Sequence, residues 1–252
     1  MYDLKKVNTL YGNMYVYTQD PTIGKSLMEY GEYMIQEVEL IKQFTNKKSF
    51  VLDVGANIGT HCIPLAPHVN KVVCFEPDKE IFEVLKKNCG ETGQRNIVLN
   101  NMALSSGFSQ VGTNFNFGKT TLNDQGDIYC VDLDQIKGFP SVDFIKIDVE
   151  GMELEVVQGA VNTIGYYKPD LLIEMQNESN NKPMFELLQA LGYRAYWFLV
   201  PTFNVNNHRG KTENIFGNKH GVVNWFASCK STINLEPVIG ADDTVQKSIL
   251  RK

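Results

Sequence analysis

The 252-residue chain has no apolar stretch near the roughly 18 to 20 residues that a membrane-spanning helix needs. Its first residues, Met1-Tyr2-Asp3-Leu4-Lys5-Lys6, also lack the apolar core of a secretory signal. No membrane partner is therefore expected, and the cytoplasm is the expected compartment. Cysteine is scarce: the five, at positions 62, 74, 89, 130 and 229, form no C-x-x-C pair and leave one over. Reduced, mostly buried thiols are predicted. Basic charge is short as well. Lys and Arg number 24 against 29 Asp and Glu, a net charge of −5. The local pairs Lys47-Lys48 and Lys86-Lys87 are too small to form the stripe that grips a nucleic-acid backbone, so no nucleic-acid partner is expected. The chain contains neither an internal repeat nor the G-x-G-x-x-G dinucleotide fingerprint.

What remains is the composition of one soluble globular domain, 43% hydrophobic and 21% charged, at a length that supports a full central core. Its most informative run is Phe50-Val51-Leu52-Asp53-Val54-Gly55-Ala56-Asn57-Ile58-Gly59. Five residues rich in β-branched side chains are too short for a helix. The glycine-bracketed turn then leads into a second apolar segment, Cys62-Ile63-Pro64-Leu65-Ala66, giving strand, turn and helix. The glycines read G-x-x-x-G with an acid two positions before the first. Gly55, Asn57 and Gly59 let backbone approach a ligand, and Asp53 suits an ammonium, directly or through water, better than a pyrophosphate. A ligand with those features is S-adenosylmethionine.

A second run, Lys71-Val72-Val73-Cys74-Phe75, ends in Glu76-Pro77-Asp78 and precedes a helical pattern at Ile81, Phe82, Leu85 and Cys89. Glu76 stands about twenty positions beyond the glycine loop, where one carboxylate of a βαβ unit accepts both ribose hydroxyls. A third run, Ile97-Val98-Leu99-Asn100, gives way to Asn101-Met102-Ala103-Leu104-Ser105, and Asn101 or the Met102 backbone is placed to read an adenine edge.

Further on, Val142-Asp143-Phe144-Ile145-Lys146-Ile147-Asp148-Val149-Glu150-Gly151-Met152-Glu153 is followed by Glu155-Val156-Val157-Gln158-Gly159-Ala160. This segment resembles the D-x-I-K-x-D-V-E-G-x-E pattern of FkbM-type methyltransferases, a class I S-adenosylmethionine-dependent family. Gly31-Glu32-Tyr33, Phe75-Glu76-Pro77, Ala103-Leu104-Ser105 and Lys168-Pro169-Asp170-Leu171-Leu172-Ile173-Glu174 agree in order and spacing, so that the resemblance covers roughly residues 30 to 230. It implies an α/β fold: a Rossmann-like three-layer sandwich whose mostly parallel seven-stranded sheet ends in an antiparallel strand. It also implies S-adenosylmethionine as methyl donor and a hydroxyl of a sugar, glycan or natural product as acceptor.

The expected organisation is an N-terminal cap over residues 1–48, a methyltransferase domain over 49–230 and a tail over 231–252. The cap reads as an edge strand at 14–19 and one helix from Ile23 to Phe44. The Gly-, Asn-, Ser- and Thr-rich stretch 105–131, with Val111, Phe115 and Phe117 interspersed, is expected to form a hairpin or irregular insertion. Helices are expected over 152–164 and 183–191, and strands over Leu171–Met175, Tyr193–Val200 and Val222–Ser228. The polar segment 201–221, holding Asn204 to Asn214, His208 and His220, is expected to fold over the acceptor side.

Methyl transfer needs alignment of the acceptor and removal of one proton, and a hydroxyl needs a general base. Asp148, Glu150 and Glu174 fall at carboxyl ends of strands, where open α/β sheets bind ligands, and are the expected catalytic carboxylates; Asp148 is also expected to touch the cofactor. Crowding would raise at least one of their pKa values or attract a divalent metal, although no metal ligand set is assigned. The alternative for Glu150 is a carboxylate complementing a helix dipole, and for Glu174 a strand-end salt bridge. Glu153 and Glu155 read as solvated, His61 as a helix cap and His68 as a surface residue, with His208 and His220 the better-placed histidines. Competing functions are an N-methyltransferase on an amine, a nicotinamide oxidoreductase, disfavoured by the missing fingerprint, and a non-catalytic cofactor-binding module.

Overall fold

A computed structural model of the chain describes residues 3–107, 109–114, 121–217, 221–240 and 243. In chain order its elements begin with β1 (Leu4–Thr9), β2 (Gly12–Tyr17), α1 (Ile23–Glu29) and α2 (Ile35–Phe44). There follow β3 (Phe50–Val54), α3 (Cys62–Leu65), β4 (Lys71–Phe75), α4 (Lys79–Thr92), β5 (Ile97–Asn100) and β6 (Ala103–Leu104). Next come β7 (Ser109–Asn114), β8 (Thr121–Val131), β9 (Phe144–Ile147), α5 (Glu153–Gln158), α6 (Val161–Tyr167) and β10 (Asp170–Glu174). The last are α7 (Asn181–Ala190), β11 (Arg194–Val200), β12 (Val222–Ser228) and β13 (Glu236–Pro237).

The main sheet runs β13-β11-β12-β10-β9-β3-β4-β5. Strands β5, β4, β3, β9 and β10 are mutually parallel, and β12 lies antiparallel between β10 and β11. The expected seven-stranded, mostly parallel sheet is therefore present, with the two-residue β13 as an added edge. Strand order reverses at β3 and β9, and the crevice above that reversal is where such sheets take ligands.

Side-chain alternation divides the core between the two faces of the sheet. Val51, Val72, Phe144, Leu172 and Phe226 point to one face, where β2, α1, α2, α3 and α4 pack. Leu52, Val73, Ile145 and Leu171 point to the other, under α5, α6 and α7. Extended along the same strands, this period of two puts Asp53, Lys146, Asp148, Glu174 and Asn224 on the first face, at its carboxyl edge. Register agrees, with Asp53 beside Lys146 and Glu174 beside Asn224.

Several expected boundaries move. The strand expected at 14–19 is β2, and it has a partner, β1, that the sequence pattern left unassigned. The single helix expected from Ile23 to Phe44 is two helices, broken where Gly31 and Met34 take φ of +74° and +46°. The helix expected over 152–164 divides into α5 and α6 at Gly159-Ala160. The 105–131 insertion is the β7–β8 hairpin, joined in parallel to β6 and tied down by Thr113 Oγ1 donating to Asp78 Oδ2 at 2.7 Å; Phe115 and Phe117 lie outside the described residues. Among the described residues no helix is long and apolar enough to cross a membrane. Cys62, Cys74, Cys89 and Cys130 are buried free thiols, and Cys229 is exposed.

Candidate active site

A cavity of about 360 Å³ opens at the carboxyl ends of β3, β4, β9 and β10. Its volume falls in the range of small-molecule sites. One half is apolar with a single buried carboxylate, and the other is crowded with polar side chains.

The first half is built by the turn after β3. Gly55 takes φ +81°, and a Cβ there would lie 1.7 Å from the Asp148 carbonyl oxygen, so only glycine lets the loop pass the end of β9. The Gly55 and Ala56 amides both donate to the Phe75 carbonyl at 3.0 Å, which brings the loop against the end of β4. There Glu76, buried but lining the cavity, accepts from the Asn57 amide at 3.0 Å and the Asp78 amide at 2.9 Å. Burial pushes the Glu76 carboxyl up to about 8 against those two donors. Val54, Phe75, Met102, Ala103 and Leu104 form the adjoining apolar wall. A carboxylate fixed by two amides beside an apolar slot fits the ribose and adenine of the expected cofactor.

Three expected cofactor contacts lie elsewhere. Asn101 does not line the cavity; its amide nitrogen donates to the Glu76 and Pro77 carbonyls, both at 2.9 Å, which shapes the turn holding Glu76. Gly59 faces the core, where a Cβ would meet Ile63 Cδ1 at 2.9 Å. Asp53 is 0% exposed and absent from the cavity wall, although alternation puts it on the same face of the sheet as Lys146 and Asp148. Both of its oxygens are buried without a hydrogen bond, and the Lys146 ammonium lies 3.6 Å from one of them.

Lys146 is the pivot of the polar half. Its ammonium donates to the Gly55 carbonyl at 3.1 Å and to Asp148 Oδ2 at 3.2 Å. Burial alone opposes its charge, but Asp148, Asp53 and Glu37 outweigh that and hold the ammonium above its ordinary value. Burial likewise opposes charge on Asp148, and Lys146 reverses the balance, keeping this carboxylate below its usual range. Glu174, hydrogen-bonded to Asp148 and to Gln176, is driven strongly upward by burial and by the Asp148 charge, so this carboxyl keeps its proton. Glu150 lines the same cavity from a turn at φ +58°. Glu153 is not solvated: it is buried and accepts from the Gly151 amide at 2.8 Å and the Val149 amide at 3.3 Å, fixing that turn. Glu155 is half-buried.

The N-terminal segment supplies the opposite wall, through Ile23, Tyr33, Met34 and Glu37. His61 makes no side-chain cap for α3. Instead Nε2 meets Glu37 Oε2 at 2.8 Å, and Glu37 Oε1 accepts from Asn224 Nδ2 at 2.9 Å. All three are buried and line the cavity. Burial, with Asp148, Glu37 and Glu174 nearby, holds the Tyr33 phenol neutral and well above its ordinary value. Sequence reading assigned no role to Lys146, Glu37 or Asn224; the period-two alternation was a signal for Lys146 and Asn224, but nothing local pointed to Glu37.

The described part of the polar segment lies against the N-terminal segment. Among its described residues, 201–217 and 221, none lines the cavity. Asn204 Nδ2 and the His208 amide each donate to Glu32 at 2.7 Å, and the Tyr30 hydroxyl bonds the Glu213 carbonyl and the Ile215 amide at 2.8 Å. His208 is exposed, and His220 lies outside the described residues. His68 is half-buried, with Nε2 at 2.9 Å from the Thr45 carbonyl.

The three carboxylates expected to attract a metal do not converge on one ion. Among the described residues, the set whose ligand atoms lie within 4.8 Å of one another is Asp53, Cys62 and Cys74. That set is fully buried, and the Lys146 ammonium already sits 3.6 Å from Asp53, so it does not suit a divalent cation.

Residues 53–195 match the model of the methyltransferase FkbM domain. The hexuronic acid methyltransferase AglP of Haloferax volcanii is 29% identical over 138 residues, 50% of this chain and 56% of that relative. The chain thus spans little more than half the length of the relative it matches. A methyltransferase FkbM structure from Methylobacillus flagellatus aligns at 20% identity over 72% of this chain and 44% of its own, with a TM-score of 0.48. Trm5b from Pyrococcus abyssi aligns at 10% identity over 89% of this chain and 55% of its own; its TM-score of 0.52 is a likeness of fold.

Proposed function

The chain belongs to the FkbM methyltransferase family, and from that premise we propose that it is an S-adenosylmethionine-dependent O-methyltransferase acting on a hydroxyl of a sugar or glycan. The observation that carries this reading is the division of the cavity. Glu76, held by the Asn57 and Asp78 amides, and the wall from Met102 to Leu104 would hold an adenosine. Gly55 and Asn57 would receive the amino-acid end. When bound, the cofactor supplies its methyl group to the acceptor oxygen, the C–S bond breaking as the C–O bond forms. Asp148, Glu150, the protonated Glu174 and Gln176 face the acceptor volume with both donors and acceptors, which suits a polyhydroxylated ring. The relative named a hexuronic acid methyltransferase supports the same substrate class.

The acidic lining also favours a second reading, methyl transfer to an amino group, since an ammonium would be attracted there before losing its proton. Calorimetry with S-adenosylhomocysteine and transfer of labelled methyl to a panel of hexose, hexuronate and amino-sugar glycosides test both. Cofactor binding with an O-methyl product supports the first reading, an N-methyl product supports the second, and binding of NAD in place of S-adenosylhomocysteine overturns both.

A further inference from the structure

We infer that His61, aimed by Glu37 and Asn224, is the general base of this site; the inference rests on the methyl-transfer reading above. Three elements converge to make the arrangement: Glu37 from α2, His61 from the turn before α3 and Asn224 from β12. Each is at most 5% exposed. Burying a histidine, a carboxylate and an amide together is costly unless they satisfy one another, and apolar side chains of the same volume would pack at lower cost. The polar set is nevertheless closed by bonds of 2.8 and 2.9 Å.

The geometry fixes more than position. Asn224 holds one Glu37 oxygen, so the other stays on His61 Nε2. A carboxylate there keeps Nε2 protonated and leaves the lone pair on Nδ1. Thr60 Oγ1 lies 3.5 Å from Nδ1, at the outer limit of a hydrogen bond. A base hydrogen-bonded to an orienting carboxylate, itself held by a third group, is the general construction of an activated proton acceptor. As the acceptor oxygen gains its methyl group, its proton passes to Nδ1, and the imidazolium is balanced by Glu37 until it releases that proton to water.

The rivals are weaker. Asp148 is stabilised as a carboxylate by Lys146 and has little drive to take a proton. Glu174 already holds one. Tyr33 is a neutral phenol, a donor and not an acceptor of protons at neutral pH. The charged and titratable groups that line the cavity with His61 are Glu37 and Tyr33 from the N-terminal segment, Glu76 after β4, Lys146, Asp148 and Glu150 at and beyond the end of β9, and Glu174 from β10.

Two measurements on the full chain test the inference. Ring ¹⁵N shifts of labelled histidine should show His61 as the Nε2–H tautomer with Nδ1 unprotonated at pH 8, and Glu37→Gln should abolish that preference. An Nδ1–H tautomer in the wild type would overturn the proposal without reference to any acceptor. In methyl transfer to whichever panel glycoside the wild type accepts, His61→Gln should lower kcat by roughly 10²- to 10⁴-fold while leaving S-adenosylhomocysteine affinity unchanged. Imidazole should partly rescue His61→Gly. Glu37→Gln should lower kcat while leaving S-adenosylhomocysteine affinity unchanged, and Glu37→Asp should restore part of the lost kcat, a split that a merely structural role would not give. Wild-type turnover by His61→Gln, or a loss of kcat in Glu150→Gln that exceeds the loss in His61→Gln, would overturn the assignment. A wild type that binds cofactor and methylates nothing would instead overturn the parent reading, and this inference with it.

Discussion

The Lys146 ammonium stands 3.2 Å from Asp148 Oδ2 on the floor of the cavity. That one cation also lies 3.6 Å from Asp53, so it compensates a carboxylate facing the ligand volume and another sealed beneath the loop.

Removing it should therefore cost stability before it costs chemistry. Lys146→Met leaves the Asp53 charge buried with both oxygens unbonded, and the expected loss is about 3–5 kcal/mol. Pairing the change with Asp53→Asn should recover much of that loss. Urea unfolding of the two single variants and the double variant checks this; additive losses would show that Lys146 does not serve Asp53.

Glu76 predicts a pH dependence whose sign is fixed by its raised pKa. Between about 4.5 and about 8 the folded protein keeps a proton on Glu76 that the unfolded chain has lost. Stability contributed this way is full at acid pH and falls as pH rises through that window, by up to about 1.4 kcal/mol per pH unit. Thermal melts from pH 5 to 8 should show the fall, flattened in Glu76→Gln. Ribose hydroxyls donate best to the ionised acid, so S-adenosylhomocysteine affinity should rise with pH over the same window. Calorimetry in buffers of different ionisation enthalpy should detect a released proton. Affinity independent of pH would mean that Glu76 does not hold the ribose.

Asp148 and Glu174 look alike in sequence but differ in protonation. Because Glu174 carries a proton, Glu174→Gln preserves a donor toward Asp148 and should leave most turnover intact, whereas Glu174→Ala removes it. Asp148→Asn discharges the partner of Lys146 and should lower kcat more than S-adenosylhomocysteine affinity. Equal kcat losses in Glu174→Gln and Asp148→Asn would show that Glu174 works as an anion.

The sheet was legible in the sequence because its strands are continuous apolar runs closed by turn residues: Phe50–Val54, Lys71–Phe75 and Ile97–Asn100 begin and end where expected. Glu76 was legible from its distance to the glycine loop, which a βαβ unit fixes. Asp53 shares a face of the sheet with Lys146, so alternation does not report that it is sealed away from the cavity that Lys146 lines. Glu37 was not legible at all. It reads as an ordinary acid on an amphipathic helix, and only the fold, by laying α2 over the carboxyl edge of the sheet, brings it to a histidine 24 residues away and an asparagine 187 away. The helix break at Gly31 and Met34, which aims α2 at the cavity, depends on backbone conformations that periodicity does not report.

The sequence left a divalent metal open, and the charges of the site give a definite expectation. An Asp148 carboxylate that already holds an ammonium, beside a Glu174 carboxyl that keeps its proton, offers a cation one shared charge from that pair, with Glu150 the remaining carboxylate of the three. A metal ion bound there would have to displace Lys146, which would strand its ammonium in the core and uncover Asp53, or else sit within a few ångströms of a like charge. Exhaustive chelation should therefore leave both cofactor binding and methyl transfer unchanged, and added Mg²⁺ or Mn²⁺ should not accelerate turnover. In Lys146→Met the same carboxylates lose their resident cation, and that variant, if it folds, should gain a Mn²⁺ affinity that the wild type lacks. Wild-type activity lost to a chelator and restored by one of these ions would mean that Lys146 leaves Asp148 when the site is loaded, which the 3.2 Å ion pair argues against.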